Sequence, residues 1–336
     1  MATIAENIQT LKSIKSDIKN AIIQKGGSVT DAFGTYAQAI TDLPSGGGGG
    51  TEIEDGLITR TLSVYSNDRV SMVGKYAFYC YSNLTSVNLQ NCSYISEYAF
   101  FYCKSLTSIN LPNCMSVSDY TFAVCPALQS INLPNCMSVG NYTFSECSAL
   151  QSIDLPNCMS VGNYIFAECS ALQSVNLPNC ISVGICAFYK CGKITNINLQ
   201  NCSHIRTETF FVCNALQSID LPLCKSIEYN AFVLCSALSI VSLPLCSYFS
   251  STVFNGCINL KEIYINSVTS VTYISTNAFR NCPNLTSVYV PASLVNAFMT
   301  AQYWSSISNK IVAYREVAGT DTDMPELGGG ENIEIN

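Results

Sequence analysis

The sequence predicts a repeat solenoid of about ten 22-residue coils with a parallel β-sheet along one face. Leucine and phenylalanine each recur every 22 residues, and a fixed period in this range is typical of chains whose units bury apolar side chains by stacking on their neighbours. The leucine column comprises Leu89, Leu111, Leu133, Leu155, Leu177, Leu199, Leu221 and Leu243. The phenylalanine column comprises Phe78, Phe100, Phe122, Phe144, Phe166, Phe188, Phe210, Phe232 and Phe254.

Period-two alternation predicts the strand of each repeat. In one typical repeat, Ile109 and Leu111 alternate with Ser108 and Asn110, which indicates a short strand with one buried face. Pro112 should end this strand because proline cannot donate to a β-ladder. Stacking of the coils would assemble these strands into a parallel sheet.

The remainder of the repeat is expected to turn. Val117, Phe122 and Cys125 are five and three residues apart, which suits a turn and a short 3₁₀-like segment better than a strand. In three repeats a glycine follows the corresponding valine and is expected to supply a bend. These glycines are Gly140, Gly162 and Gly184.

Composition divides the chain into five predicted segments. Residues 1–45 are a helical docking or oligomerisation module, and residues 46–50 are five glycines that form a flexible linker. Residues 51–290 form the solenoid. Residues 291–316 form its C-terminal cap, and residues 317–336 form a polar tail.

The helical prediction for residues 1–45 rests on apolar residues at helix or heptad spacing. Two interpretations remain open: a two-helix mini-domain that packs on itself, or an element that docks or self-associates. So short a segment provides little core of its own, which favours a partner. The apolar positions are Ile4, Ile8, Leu11, Ile18 and Ile22.

The C-terminal cap is predicted because the last coil of a stack would otherwise expose its apolar interior. A helix that begins near Ser293 would place Leu294, Ala297 and Phe298 over that coil. Trp304, the only tryptophan, is expected to pack at the same end.

Charge and hydropathy exclude several classes of protein. The net charge of −7 argues against nucleic-acid binding, which needs clustered lysine and arginine. No apolar run is long enough for a membrane span. The first twenty residues lack an uninterrupted apolar core and a cleavage site, so they are not expected to be a secretory signal peptide.

The cysteines form two further columns with the 22-residue period and are predicted to be buried, reduced thiols. Neighbouring coils lie within reach of a disulfide, but parallel side chains oppose the torsion that a disulfide requires. Zinc is not expected, since there is no Cys-x-x-Cys pair and His204 is the only histidine. No metal site and no cofactor are therefore predicted. One column is Cys92, Cys114, Cys136, Cys158, Cys180, Cys202, Cys224 and Cys246, and the other is Cys103, Cys125, Cys147, Cys169, Cys191, Cys213, Cys235, Cys257 and Cys282.

The repeat L-x-S-I-x-L-P-N-C-x-S-V-x-x-x-x-F-x-x-C resembles the leucine-rich repeats of the bacterial BspA-like surface-protein family. Residues 290–314 look like the closing segment of that family. The resemblance implies a curved, right-handed leucine-rich-repeat solenoid that serves adhesion and protein or glycan binding without a cofactor. Surface members of the family carry export signals and anchors, and neither is recognised in this sequence.

Residues 15–26 and 33–40 are similar to a short N-terminal module of bacteriophage and prophage tail proteins. This resemblance implies a virion-docking or self-associating head that carries a distal recognition scaffold. The leading hypothesis is therefore a phage or prophage tail-associated receptor-binding protein located on the virion. The alternative is a BspA-like adhesin that is extracellular or at a cell surface.

Enzymatic activity is not predicted. Residues 135–156 and 157–178 are identical at 18 of 22 positions. Near-duplicate coils present the same groups repeatedly, whereas a catalytic site needs several different groups that converge. The lone His204 is expected to be a surface residue.

Two surfaces are candidates for binding. The solvent side of the predicted strands carries polar columns that end in aromatic residues, and tyrosine suits protein or carbohydrate contacts. A second column, Tyr76, Tyr98, Tyr120, Tyr142 and Tyr164, is expected mainly to stack on itself. The predicted binding residues on the strands are Ser108, Asn110, Ser130, Asn132, Ser152, Asp154, Ser174, Asn176, Asp220, Glu262, Tyr264 and Tyr289.

Overall fold

The computed structural model describes residues 62–275 and 277–314, and the predicted head, linker and tail lie outside these ranges. The described chain is a solenoid of about eleven coils, which confirms the predicted fold class. Each coil contributes one longer strand, and these strands are β1 (Val64–Ser66), β3 (Ser86–Asn88), β5 (Ser108–Asn110), β7 (Ser130–Asn132), β9 (Ser152–Asp154), β11 (Ser174–Asn176), β13 (Asn196–Asn198), β15 (Ser218–Asp220), β17 (Ile240–Ser242), β19 (Glu262–Tyr264) and β21 (Ser287–Pro291).

A second, two-residue strand follows the longer strand in each of ten coils. This strand was not predicted, because two residues are too few to show alternation. The short strands are β2 (Met72–Val73), β4 (Tyr94–Ile95), β6 (Ser116–Val117), β8 (Ser138–Val139), β10 (Ser160–Val161), β12 (Ser182–Val183), β14 (His204–Ile205), β16 (Ser226–Ile227), β18 (Tyr248–Phe249) and β20 (Tyr273–Ile274).

All strand pairs are parallel, and the pairs that form up to β16–β18 and β17–β19 join residues 22 positions apart. The longer strands form three sheets, β1-β3-β5-β7, β9-β11-β13 and β15-β17-β19-β21-β22. Two breaks therefore interrupt this side of the solenoid, one between β7 and β9 and one between β13 and β15. We call the solvent side of the longer strands the sheet face.

The phenylalanine column runs through the interior. Successive rings from Phe78 to Phe254, and then Phe279, stack with centroids 4.8 to 5.7 Å apart. From Phe100 to Phe254 these side chains have no solvent exposure. The column thus forms a continuous apolar core in which each ring is covered by the coils on both sides.

The phenylalanine segment turns through left-handed residues, which corrects the expectation of a 3₁₀-like segment. Nine successive coils each contain two residues with positive φ, and Gly256 is the only glycine among these residues. The first set, which we call the left-handed edge, has φ between 54° and 62°. Its members are Tyr76, Tyr98, Tyr120, Tyr142, Tyr164, Cys186, Glu208, Asn230 and Thr252.

The three predicted bend glycines have a different role. Gly140, Gly162 and Gly184 do not adopt positive φ. They lie directly over one another, and a Cβ atom on Gly162 would lie 2.4 Å from the carbonyl carbon of Gly140. Glycine is therefore required for close approach of stacked backbones rather than for a bend.

The thiols of both cysteine columns are buried, form no disulfide and lie near backbone carbonyls. Cys147 Sγ donates to Phe122 O at 3.2 Å, and Cys158 Sγ donates to Ser160 O at 3.2 Å. The same two patterns recur along nearly all of each column. Cysteine thus supplies a small apolar side chain that also satisfies a carbonyl.

The C-terminal cap contains a 3₁₀ turn (Ala292–Leu294), the helix α1 (Val295–Thr300), a second 3₁₀ segment (Trp304–Lys310) and β22 (Ile311–Tyr314). Trp304 is buried, as predicted, and its indole N–H donates to Thr272 O at 2.6 Å. Of the three residues expected to cover the last coil, only Phe298 is buried. Leu294 lies in the 3₁₀ turn before the helix and is half-buried, and Ala297 is exposed because adjacent helix residues such as Ala297 and Phe298 point about 100° apart.

Candidate binding surface on the sheet face

Strand register brings the predicted binding residues together in two columns. Each predicted pair occupies the first and third positions of a longer strand, on either side of an inward-facing residue, as Ser108 and Asn110 do around Ile109. Ser108 pairs with Ser130, and Asn110 pairs with Asn132. The columns are continuous within each sheet and are interrupted at the two breaks.

Asparagine side chains on the third strand position form a directional amide ladder. Asn110 Nδ2 donates to Asn88 Oδ1 at 2.9 Å, and Asn132 Nδ2 donates to Asn110 Oδ1 at 2.7 Å. The ladder resumes beyond the first break, where Asn198 Nδ2 donates to Asn176 Oδ1 at 3.0 Å. Each of these amides thus donates to the preceding coil, and each except the last of its run, Asn132 or Asn198, accepts from the following coil.

Both breaks occur where an aspartate replaces asparagine in this column. Asp154 accepts a 2.8 Å hydrogen bond from Asn176 Nδ2, but its carboxylate has no proton to donate to Asn132 in the preceding coil. At the second break, the carboxylate of Asp220 likewise has no proton to donate to Asn198 in the preceding coil. The two carboxylates therefore end the ladder at the two places where the sheet itself is interrupted.

The two breaks differ in exposure. At the first break, the predicted residues Ser130, Asn132, Ser152 and Asp154 are all exposed. At the second break, Asn198 and Asp220 are half-buried. The Oδ1 atom of each side chain is nevertheless fully buried. The other predicted serine and asparagine residues are half-buried.

The aromatic end of the sheet face is less accessible than the sequence suggests. Tyr264 is only 7% exposed, stacks on Tyr289 at 4.6 Å and donates its hydroxyl to Glu262 Oε2 at 2.9 Å. Burial, together with the hydrogen bond to Glu262, raises the pKa of the Tyr264 hydroxyl above its ordinary value. Tyr264 therefore contributes mainly to the end of the solenoid, while Tyr289 and Glu262 remain half-buried.

The tyrosine column stacks on itself, as predicted. Tyr142 lies 4.6 Å from Tyr120 and 4.7 Å from Tyr164, with the rings nearly parallel. The column ends at Cys186, after which hydrogen bonds replace ring stacking. Asn230 Nδ2 donates to Glu208 Oε1 at 3.3 Å.

A third surface was missed by the sequence analysis. Met115, Met137, Met159 and Ile181 occupy one position in four consecutive coils and are 44–55% exposed. We call these residues the methionine edge. The 22-residue spacing of these methionines was visible in the sequence, but their exposure depends on which side of the turn each side chain takes.

Among the described residues, no group of three or more histidine, cysteine, aspartate or glutamate side chains could hold a metal ion. His204 is exposed and lies 2.7 Å from Ser203 Oγ, in agreement with its prediction as a surface residue. In the described ranges, no helix has the length and apolarity needed to cross a bilayer.

Comparison with known proteins gives a family match over most of the solenoid. A family model described as a BspA type leucine rich repeat region in six copies matches residues 71–184 and 181–308. No curated protein sequence matches the chain significantly.

Solved structures of leucine-rich repeat proteins are similar at low identity. A protein from Bacteroides ovatus is 20% identical, with 75% of this chain and 92% of that chain covered and a TM-score of 0.38. A leucine rich cell surface protein from Faecalibacterium prausnitzii is 19% identical, with 74% and 82% covered and a TM-score of 0.34. The pneumococcal vaccine antigen PcpA is 16% identical, with 75% and 79% covered and a TM-score of 0.37.

Proposed function

Because the chain belongs to the BspA-type leucine-rich repeat family, we propose that it is a non-enzymatic recognition scaffold that binds a cell-surface protein or glycan through its sheet face. The proposal places the chain outside the cell, as an adhesin-like protein. The partner would contact the polar columns as a whole rather than any single residue.

One observation carries this proposal: the exposed polar patch at the first break. Ser130, Asn132, Ser152 and Asp154 lie on adjacent coils, and the hydroxyls of both serines make no hydrogen bond with any described residue. No described residue donates to Asn132 Oδ1 either. A partner can therefore use these groups without breaking internal hydrogen bonds.

The same patch is held on a rigid base. Buried columns on the inner side fix the strands, so side chains on the sheet face lose little conformational freedom when a partner binds. Hydroxyl, amide and carboxylate groups in register suit a partner with its own repeated polar groups. Weak contacts repeated along the coils would then add through multivalency.

A charge-matched pair of variants tests the proposal. The full chain is first screened against a glycan array and purified surface proteins. Affinity for the identified ligand is then measured for Ser130→Lys with Ser152→Lys, and for the control Met137→Lys with Met159→Lys on the methionine edge. Both variants add two positive charges at exposed positions that make no side-chain hydrogen bonds.

The sheet-face variant should lose binding by about tenfold or more, which corresponds to loss of an important interface contact. The methionine-edge variant should change affinity by no more than about twofold. If the methionine-edge variant loses binding and the sheet-face variant does not, the methionine edge is the contact surface. Absence of any binding by the unmodified chain would contradict the proposed function.

The non-enzymatic part of the proposal has its own test. Incubation of the full chain with candidate polysaccharides and surface proteins should release neither sugars nor peptides. If an activity that releases sugars or peptides co-purifies with the chain through successive chromatography steps, the protein is an enzyme.

Attachment to a phage particle remains a prediction from the similarity of residues 1–45 to tail proteins. That segment lies outside the described residues, and the family match covers only residues 71–308. Deletion of residues 1–45 should abolish incorporation into particles and leave the melting temperature of the solenoid unchanged. A neighbouring cluster of surface-protein genes, without tail genes, would contradict a phage role.

A further inference from the structure

Three consecutive coils expose a methionine at a position where other coils carry a polar residue. Met115, Met137 and Met159 are 48%, 44% and 53% exposed. Backbone hydrogen bonds between successive coils place them in one column, as Met137 N donates to Met115 O at 2.9 Å. The fold does not require an apolar side chain in this column. In the coils before and after the methionine edge, the same position is occupied by Ser71, Ser93, Ser203, Lys225 and Ser247.

The methionines give up an interaction that serine makes at the same position. Ser93 Oγ donates to Ser71 O at 3.1 Å, and Ser247 Oγ donates to Lys225 O at 3.3 Å. A thioether has no proton to donate. The exposed half of each methionine side chain also forfeits the free energy that burial would provide. Neither hydrogen bonding nor packing therefore accounts for three exposed methionines in a row.

Each of the three methionines directly follows a buried cysteine of one column. Consecutive Cα atoms are about 3.8 Å apart, so the exposed thioether and the buried thiol are immediate neighbours along the chain. Cys136 has no solvent exposure, and its Sγ donates to Ser138 O at 3.3 Å. Burial raises the pKa of the Cys136 thiol to about 12. The three pairs are Cys114 with Met115, Cys136 with Met137, and Cys158 with Met159.

Oxidation would have opposite consequences at the two kinds of sulfur. A thiol that is oxidised to a sulfinic or sulfonic acid gains charged oxygen atoms in a step that thiol reductants do not reverse. In a close-packed interior, these atoms would force neighbouring coils apart. A surface thioether that becomes a sulfoxide gains one polar oxygen in contact with water, and methionine sulfoxide reductases reverse the change. An exposed methionine can thus be oxidised and repaired at little cost to the fold.

We propose that Met115, Met137 and Met159 are sites of reversible oxidation that protect the adjacent thiol column from hypochlorous acid, a two-electron oxidant. The thioether sulfur loses two electrons and gains one oxygen atom. The chlorine of hypochlorous acid leaves as chloride, and one proton is released to water.

Local opening of a coil explains how a surface residue protects a buried one. The buried thiols become accessible to an oxidant only when a coil opens transiently. Because the methionine is the next residue, any opening that exposes the thiol places it beside a thioether that is already in solvent. The two sulfur atoms then compete for the same oxidant. This role does not depend on the identity of any recognition partner.

Two single substitutions separate local protection from general consumption of the oxidant. Met137→Leu and Met72→Leu each remove one exposed thioether and nearly conserve side-chain volume. Met72 is 60% exposed, but it follows Ser71 rather than a cysteine. The folded full chain is titrated with hypochlorous acid in a buffer free of thiols and amines, and the reaction is quenched with free methionine. Peptide mass spectrometry then measures the oxidised fraction at each sulfur, and thermal melting checks the fold.

At about one equivalent of oxidant per chain, the three methionines should become sulfoxides while the thiols stay reduced. Met137→Leu should increase the oxidised fraction of Cys136 severalfold, whereas Met72→Leu should leave that fraction unchanged. Both variants should melt at the temperature of the unmodified chain before oxidation. Methionine sulfoxide reductases should return the oxidised peptides to their original mass.

Three results would overturn the proposal. The first is oxidation of the thiols at a lower dose than the methionines, and the second is an equal oxidised fraction of Cys136 in Met137→Leu and Met72→Leu. The third is a lower melting temperature when only the methionines are oxidised. None of these measurements involves the sheet-face ligand, so failure of this proposal is distinguishable from failure of the proposed function.

Discussion

The buried phenylalanine column and the left-handed edge run through the same coils but tolerate change very differently. Phenylalanine is retained at every step from Phe78 to Phe254, whereas the left-handed edge changes from tyrosine to cysteine, glutamate, asparagine and threonine after Tyr164. The backbone φ of the edge nevertheless stays between 54° and 62°.

The difference shows that closure of the coil, rather than local side-chain preference, imposes the left-handed conformation. Thr252 is β-branched and disfavours positive φ, yet it adopts 57°. Stacking interactions between coils outweigh this local cost. Side chains at the edge can then vary, provided that each contacts its neighbours by ring stacking or by hydrogen bonds, as Thr252 Oγ1 does with Asn230 Oδ1 at 2.5 Å.

The largest expected effect comes from truncation inside the phenylalanine column. Phe144 has no solvent exposure and lies 5.6 Å from the rings on both sides. Phe144→Ala should lower the free energy of unfolding by about 3–5 kcal/mol, measured by guanidinium denaturation, because neighbouring coils cannot collapse into the cavity. A loss below 1 kcal/mol would show that the interior column is not the main source of stability.

Addition of one methyl group at the stacked glycines should have the next largest effect. The Cβ atom of Gly162→Ala would meet backbone atoms of Gly140, which cannot rotate away as a side chain could. We expect a loss of about 1–3 kcal/mol in the same assay. Gly192→Ala is the control, since no atom lies within 4 Å of its added Cβ. Equal melting of both variants would contradict a close-approach role.

Substitution of the half-buried tyrosine in the same coil as Phe144 should cost less. Tyr142→Asn removes two ring contacts worth about 0.5–1.5 kcal/mol each, but asparagine tolerates positive φ, so the net loss should be about 1 kcal/mol. Val124→Asn changes another left-handed position, with φ of 57°, and should be neutral or stabilising. If both variants lose stability equally, ring stacking does not explain the tyrosine column.

Oxidation chemistry should have the smallest effect. Burial raises the pKa of the Cys147 thiol to about 12 and that of Cys158 to about 11, so the reactive thiolate is scarce at pH 8. A disulfide reagent should therefore label the folded chain slowly and the denatured chain completely. Reducing agent should leave the melting temperature unchanged. Rapid labelling of many thiols in the folded chain would contradict the buried columns.

Much of the fold could be predicted from the sequence because stacking makes the period directly visible. The phenylalanine, leucine and cysteine columns, and the pairing of Ser108 with Ser130, all follow from a shift of 22 residues. The role of the glycines could not be predicted. Their close approach depends on the distance between two backbones, which a single repeat does not encode.

The candidate surface was predictable in composition but not in accessibility. The sequence by itself determined that Ser130, Asn132, Ser152 and Asp154 share one face, since alternation and period place them there. Only the tertiary structure decided that these four are exposed, that Tyr264 is buried, and that Asp220 ends an amide ladder over enclosed oxygens. The physical reason is that exposure and hydrogen bonding depend on the coil before and the coil after. Those neighbours are specified only when the stack is assembled.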